Sequence, residues 1–303
     1  MSAATSPVRA GPPTPFVVGA LVGVTAIWGS TFVVVKDAIE LMPVMDFLAW
    51  RFSLATVLMV LVRPRAVARL GGRSRRYGAV LGVALGAGYV FQTLGLQTAG
   101  AAVSGFITGM FVVLTPVTSA VLLRRRVGAV AWLAVALATA GLALLALRGL
   151  SVGRGEALTL ACAVFFALHI VGLGEWSAGG DAYGLAVVQL AVVGGGCALA
   201  ALPGGIALPP RASVWGALAL TALGATALAF VVQTWAQAHL APTRTAVIMT
   251  MEPVFAGVVA VGLAGESLGV REVLGCVLIV TGMLTVELGP RRGAEGATSR
   301  LEV

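Results

Sequence analysis

Charge is scarce in this 303-residue chain: Asp, Glu, Lys and Arg make up 11% of it, against about 25% in a soluble globular domain. So few charges could not solvate the surface of a soluble fold. Histidine is rarer still, with only His169 and His239, far apart in the chain. The three cysteines, Cys162, Cys197 and Cys276, lie inside apolar runs without metal-ligand spacing, and their odd number argues against a disulfide framework. No GxxxxGK[ST] stretch occurs, so the chain lacks the phosphate cradle of an ATP-driven machine. HExxH is absent too, and with it the usual basis of metal-assisted hydrolysis. No metal, no cofactor and no enzymatic activity are expected.

What fills the chain is apolar. Such residues make up 59%, where about 45–50% is ordinary, and the mean hydropathy of +1.00 is spread over the whole length. The 40 glycines suit close helix contacts in lipid. The net charge of +8 does not point to nucleic acid, because the bases fall between apolar segments, where they act as topology signals.

A helix needs about 20 apolar residues to cross the hydrocarbon core. Ten such runs stand near 16–35, 44–62, 78–97, 102–123, 129–147, 157–176, 183–202, 214–236, 244–263 and 271–288. Residues 1–15 and 289–303 read as disordered cytoplasmic tails. With the N-terminus inside, fourteen bases fall on the cytoplasmic side, six of them between 63 and 76, and five fall outside. Both termini are therefore expected in the cytoplasm, and a cell-membrane location follows.

The chain also resembles itself. Gln92–Thr93 recurs as Gln233–Thr234, an offset of 141; at that offset Ser104 matches Thr245, Arg125 matches Glu266 and Gly141 matches Gly282. Earlier in each half the offset is 138, pairing Trp28 with Phe166, Thr31 with His169 and Arg51 with Gln189. Pro116 and Pro253 differ by 137. Five spans per half is odd, so the second copy enters the membrane upside down, and the charges agree: six Arg after the second span face Arg211 alone after the seventh. Inverted repeats are a transporter architecture, with the substrate site near the midplane between the halves. The expected fold is an all-α polytopic membrane protein of ten transmembrane helices, arranged as two inverted five-helix repeats over 16–147 and 156–288.

Five stretches in order carry a family resemblance: Trp28–Phe32 (WGSTF), Ala49–Phe52 (AWRF), Gly105–Pro116 (GFITGMFVVLTP), Gly155–Glu156, and the EPVFA…GES…G…G pattern from Glu252 to Gly282. Together they resemble the EamA branch of the drug/metabolite transporter superfamily. The resemblance implies a bundle around a central cavity that exports or exchanges small metabolites. The family often has a Glu after the fourth span; here Arg125 stands in LLRRR, so only Glu266 retains that acid.

Glu252 is the acid near midspan, followed by Pro253, which removes an N–H and frees carbonyls of the preceding turn. It reads as a substrate-amine ligand or proton-coupling carboxylate, or else as one locked in a packing hydrogen bond. Arg51 lies seven residues inside the second span, roughly 10 Å along the helix. An ion pair with Glu252, a substrate carboxylate, and snorkelling to the headgroups all fit it. Trp28, Ser30 and Thr31, then Tyr89, Gln92, Gln233 and Trp235, form a polar and aromatic set suited either to a cavity or to helix packing. His169 is a second coupling candidate, though a lone histidine is more often a packing residue. Gly19/Gly23, Gly82/Gly86 and Gly105/Gly109 have the spacing of close helix contacts.

The expected function is secondary transport by alternating access, with export of amino acids or related metabolites ahead of efflux of drugs or hydrophobic cations. A membrane sensor or scaffold ranks lower for want of a soluble output domain. The partners are a small-molecule substrate, the lipid bilayer and protons as a candidate coupling ion; a monomer and a homodimer both fit.

Overall fold

The computed structural model describes residues 14–124, 128–148, 151–176, 181–237 and 248–288. Nearly all of both expected tails, 1–13 and 289–303, lies outside the described residues. The first half comprises α1 (Thr14–Ile39), α2 (Val44–Val62), α3 (Gly72–Leu96), α4 (Ala101–Gly109), α5 (Phe111–Leu123) and α6 (Ala129–Ala146). The second comprises α7 (Arg154–Trp176), α8 (Ala182–Ala201), α9 (Ala212–Ala219), α10 (Ala229–Gln237), α11 (Met251–Leu263) and α12 (Val270–Leu288). A small antiparallel ladder, Leu147 with Val152 and Arg148 with Ser151, joins the halves. It is the one departure from the all-helical expectation among the described residues.

Helix is the only economical state for these apolar runs, because lipid offers a backbone N–H or C=O no partner outside its own segment. Six helices are long and apolar enough to cross a membrane, and three shorter apolar helices, Ala129–Leu145, Ala212–Leu228 and Met251–Leu263, stand at further expected spans. With α12 at the last, the arrangement is that of roughly ten spans. Large apolar side chains face outward on many of them, such as Val83, Leu199, Leu228 and Val258, each more than half exposed. Lipid explains that outward face.

Two spans differ from the uniform helices expected. The run 102–123 is split at Met110, whose N–H donates to the Ile107 carbonyl at 3.1 Å in a tightened turn. Its counterpart in the second half breaks at Thr250, where Pro253 has no N–H to give the Met249 carbonyl. Between α9 and α10 the helix continues but widens to π geometry over Leu220–Leu228.

The halves pack by exchange. The first helix of each lies on the fourth of the other, α1 on α11 and α7 on α4 and α5. The second helices pair, α2 with α8, as do the fifth, α6 with α12. Individual contacts repeat as well. Gln92 Nε2 lies 3.3 Å from Thr108 Oγ1, and Gln233 Nε2 lies 3.6 Å from Met249 Sδ, with donor and acceptor both shifted by the offset of the sequence repeat. Gly141 packs on the Gly275 backbone, and Gly282 packs on that of Ala134, two pairs related by the same offset. The sequence repeat is thus a structural repeat.

Glycine sets the closest approach. A Cβ at Gly29 would lie 2.6 Å from Phe255 Cβ, 2.7 Å from Ala256 N and 2.8 Å from the Glu252 carbonyl oxygen. The backbones of α1 and α11 therefore touch at this point. Gly82 and Gly86 pack on α8, and Gly105 and Gly109 on α11, as their spacing predicts. Gly19 and Gly23 do not: nothing lies within 4 Å of either, because their side of α1 is exposed. Gly29→Val should accordingly cost about 1–3 kcal/mol and lower the melting temperature in detergent, whereas Gly23→Ala should leave it unchanged.

Candidate functional site

The WGST step of α1 sits where that helix meets α11. Trp28 is half-buried, and its indole Nε1 donates to the Ala225 carbonyl at 2.7 Å, in the π-helical stretch. Ser30 and Thr31 donate to carbonyls three residues back, those of Ile27 at 2.7 Å and Trp28 at 2.6 Å. Their hydroxyls are therefore occupied along their own helix.

Arg51 is held on α2, with 3% of its surface exposed. Snorkelling is ruled out by that burial. Its Nε donates to Thr226 Oγ1 at 3.3 Å, and its guanidinium carbon stands 4.9 Å from the Tyr89 ring centre and 5.2 Å from that of Phe52. Thr226 in turn donates to the Thr221 carbonyl at 2.8 Å, five residues back, which is the reach of a π turn. The wide stretch thus sets the hydroxyl that orients Arg51. Thr226 was not among the residues expected from sequence; one threonine in an Ala/Leu/Gly run carries no signal of its own.

Glu252 lies in the first turn of α11, where the helix dipole favours a carboxylate. It is half-buried. Among the described residues it makes no ion pair, so Arg51 and Glu252 are not bonded to each other; the salt bridges are Lys36–Glu266 and Arg63–Asp181. Tyr89 is close enough to both Arg51 and Glu252 for their charges to act on it. Half-buried Tyr89 also touches Phe52 and Phe166, with ring centres at 4.8 and 5.2 Å. The structure thus gathers Trp28, Arg51, Tyr89 and Glu252 from three helices of the first half and one of the second.

The other expected residues divide. Gln92 bonds Thr108 and Gln233 meets Met249, in matching places of the two halves. The Trp235 and His239 side chains lie outside the described residues, as does Arg125. His169 is buried and bonded through Nε2 to Gln189 Oε1 at 2.5 Å, joining α7 to α8. Its geometry is that of a packing hydrogen bond.

The sequence profile of the EamA-like transporter family matches residues 16–147 and 153–288, one copy per half. This chain belongs to the EamA-like transporter family. The family is a branch of the drug/metabolite transporter superfamily, and the protein is a multi-span membrane transporter and not an enzyme. It is 31% identical over 266 residues to an uncharacterized transporter of Archaeoglobus fulgidus, covering 88% of this chain and 83% of that one. A solved crystal structure shares the fold at 20% identity, with a TM-score of 0.63 over 94% of this chain and 98% of the other.

In this EamA-like transporter, the motif residues away from the site serve packing. Glu266 accepts from the Ala101 and Ala102 N–H groups at 2.7 and 3.1 Å and pairs with Lys36 at 3.3 Å. It caps α4 and ties that helix to the end of α1, which accounts for the acid in GES without a coupling role. Gly155 lets α7 start against the end of α3, where a Cβ would lie 2.7 Å from Ala99 N. The accessibility of Glu252 can be tested directly. With Cys162, Cys197 and Cys276 replaced by Ala, the Glu252→Cys variant should react with a small polar thiol reagent, while native Cys162, fully buried, should stay unmodified in the wild-type protein. An inert position 252 under all transport conditions would remove Glu252 from the site.

Proposed function

We propose that the protein is a secondary transporter of the cytoplasmic membrane that exports amino acids or related small metabolites by alternating access. Its two five-helix repeats are inverted, both termini are cytoplasmic, and the repeats rock about the site between α1, α2, α3 and α11. The observation that carries this reading is Glu252: an acid with no ion-pair partner among the described residues, half-buried at a break in its helix and packed on the other repeat through Gly29. Discontinuous helices at a repeat interface are where transporters place substrate and coupling-ion sites.

Support for rocking comes from the exchanged contacts. Each repeat contributes its first helix to the other's fourth, so a change in one copy has an equivalent counterpart in the other. Glu252 is the leading proton-coupling group, since an unpaired carboxylate can take up a proton in one state and release it in another. His169 ranks second, because Gln189 already occupies one of its ring nitrogens.

A second reading, efflux of drugs or hydrophobic cations, draws on the aromatic residues Trp28, Tyr89 and Phe166, of which the last two are in ring contact at 5.2 Å. The two are separated by one assay. Full-length protein in liposomes should show counterflow of labelled neutral amino acids, and Glu252→Gln should reduce it to the level of empty liposomes. Counterflow of a labelled lipophilic cation without that of any amino acid would establish the second reading instead.

A further inference from the structure

The repeats match in backbone but not in chemistry. Arg51 corresponds to Gln189 at the offset of 138, and Glu252 to Phe111 at the offset of 141 that also relates Thr108 to Met249. Gln189 is fully engaged: its Oε1 meets His169 and its Nε2 donates to the Leu185 carbonyl at 3.2 Å. Phe111 carries no polar side-chain atom. Both counterparts are thus neutral.

Arg51 is not. Among the described residues its one hydrogen bond runs from Nε to Thr226. Its two terminal amino groups donate to none of the described protein atoms, although only 3% of the residue's surface is exposed. A guanidinium in a membrane core with both terminal amino groups unpaired calls for an anion with two oxygens in one plane. The rings of Phe52 and Tyr89 lie beside the guanidinium at 5.2 and 4.9 Å.

We infer that Arg51 is the carboxylate ligand of the transported molecule, with Thr226 as its positioning residue, and that Glu252 faces the molecule's cationic end. The inference rests on the export reading above and assigns the site a fixed polarity. The carboxylate end lies toward α2 and the π-helical stretch, and the ammonium end toward α1 and α11. Because the opposite pair of positions is neutral, the reversed orientation has no ligands. Each charged end is held by one repeat and braced by the other: Arg51 of the first by Thr226 of the second, and Glu252 of the second against Gly29 of the first.

The test uses full-length protein in liposomes and three relatives with one side chain: a neutral amino acid, its methyl ester and its decarboxylated amine. In the wild type, the ester and the amine should compete with labelled amino acid about 10- to 100-fold less well than the free acid does. In Arg51→Gln the ratio of acid to amine counterflow should fall by a similar factor, with Arg51→Lys between the two, and Thr226→Val should weaken the acid selectively. Equal competition by acid and ester in the wild type overturns the assignment without recourse to any variant. So does an equal loss of acid and amine counterflow in folded Arg51→Gln, which would mark a purely structural arginine; the export reading would survive both results. Absence of amino-acid counterflow from folded wild-type protein would overturn that reading and this inference together.

Discussion

Everything at the centre of this molecule depends on how near α1 comes to α11. At Gly29 the two backbones are in contact, with the Glu252 carbonyl oxygen where a side chain would otherwise begin. That approach brings the WGST step of one repeat against the EPVFA step of the other, and it lets Gly105 of α4 pack on Ala256 from the far side. In lipid there is no hydrophobic drive to hold helices together, so packing at small residues and interhelical hydrogen bonds must do it. The polar residues that remain near the junction are either tied into those bonds or, like Glu252, without an ion-pair partner among the described residues.

The repeat supplies the frame, and the proposed site lies in the exceptions to it. Gln92 with Thr108 and Gln233 with Met249 occupy equivalent places and make equivalent contacts. Gly141 and Gly282 do so at the paired fifth helices. Against that regularity, Arg51 and Glu252 stand out because their counterparts, Gln189 and Phe111, are neutral. Under the proposed rocking, a symmetric frame with one residue of each charge would still give its ligand a direction. The π-helical stretch Leu220–Leu228 is a further asymmetry, and it gives Trp28 a carbonyl and Arg51 a hydroxyl.

Much of the fold was legible because lipid constrains sequence so strongly. Ten apolar runs, the charge bias of their loops and the offsets near 141 came from composition and spacing alone. Helix breaks were harder. Pro253 marks one of them, but the tightened turn at Met110 has no proline beside it, and nothing in the sequence of Leu220–Leu228 sets the π stretch apart from an ordinary apolar helix. Glycine spacing was informative only in part: Gly105/Gly109 and Gly19/Gly23 look alike as text, yet one pair meets a neighbouring helix and the other meets nothing.

By itself, then, the sequence determined membrane class, helix number, repeat and the short list of buried polar residues, since burying a charge or an amide in lipid is costly wherever it occurs. It could not choose between partners. Whether Arg51 meets Glu252, snorkels or stays open depends on helix rotation and on which face of α2 meets α8 and the π stretch. These are set by side-chain packing between segments 175 residues apart. Only the tertiary structure placed Arg51 on Thr226, His169 on Gln189, and Glu252 without an ion-pair partner among the described residues.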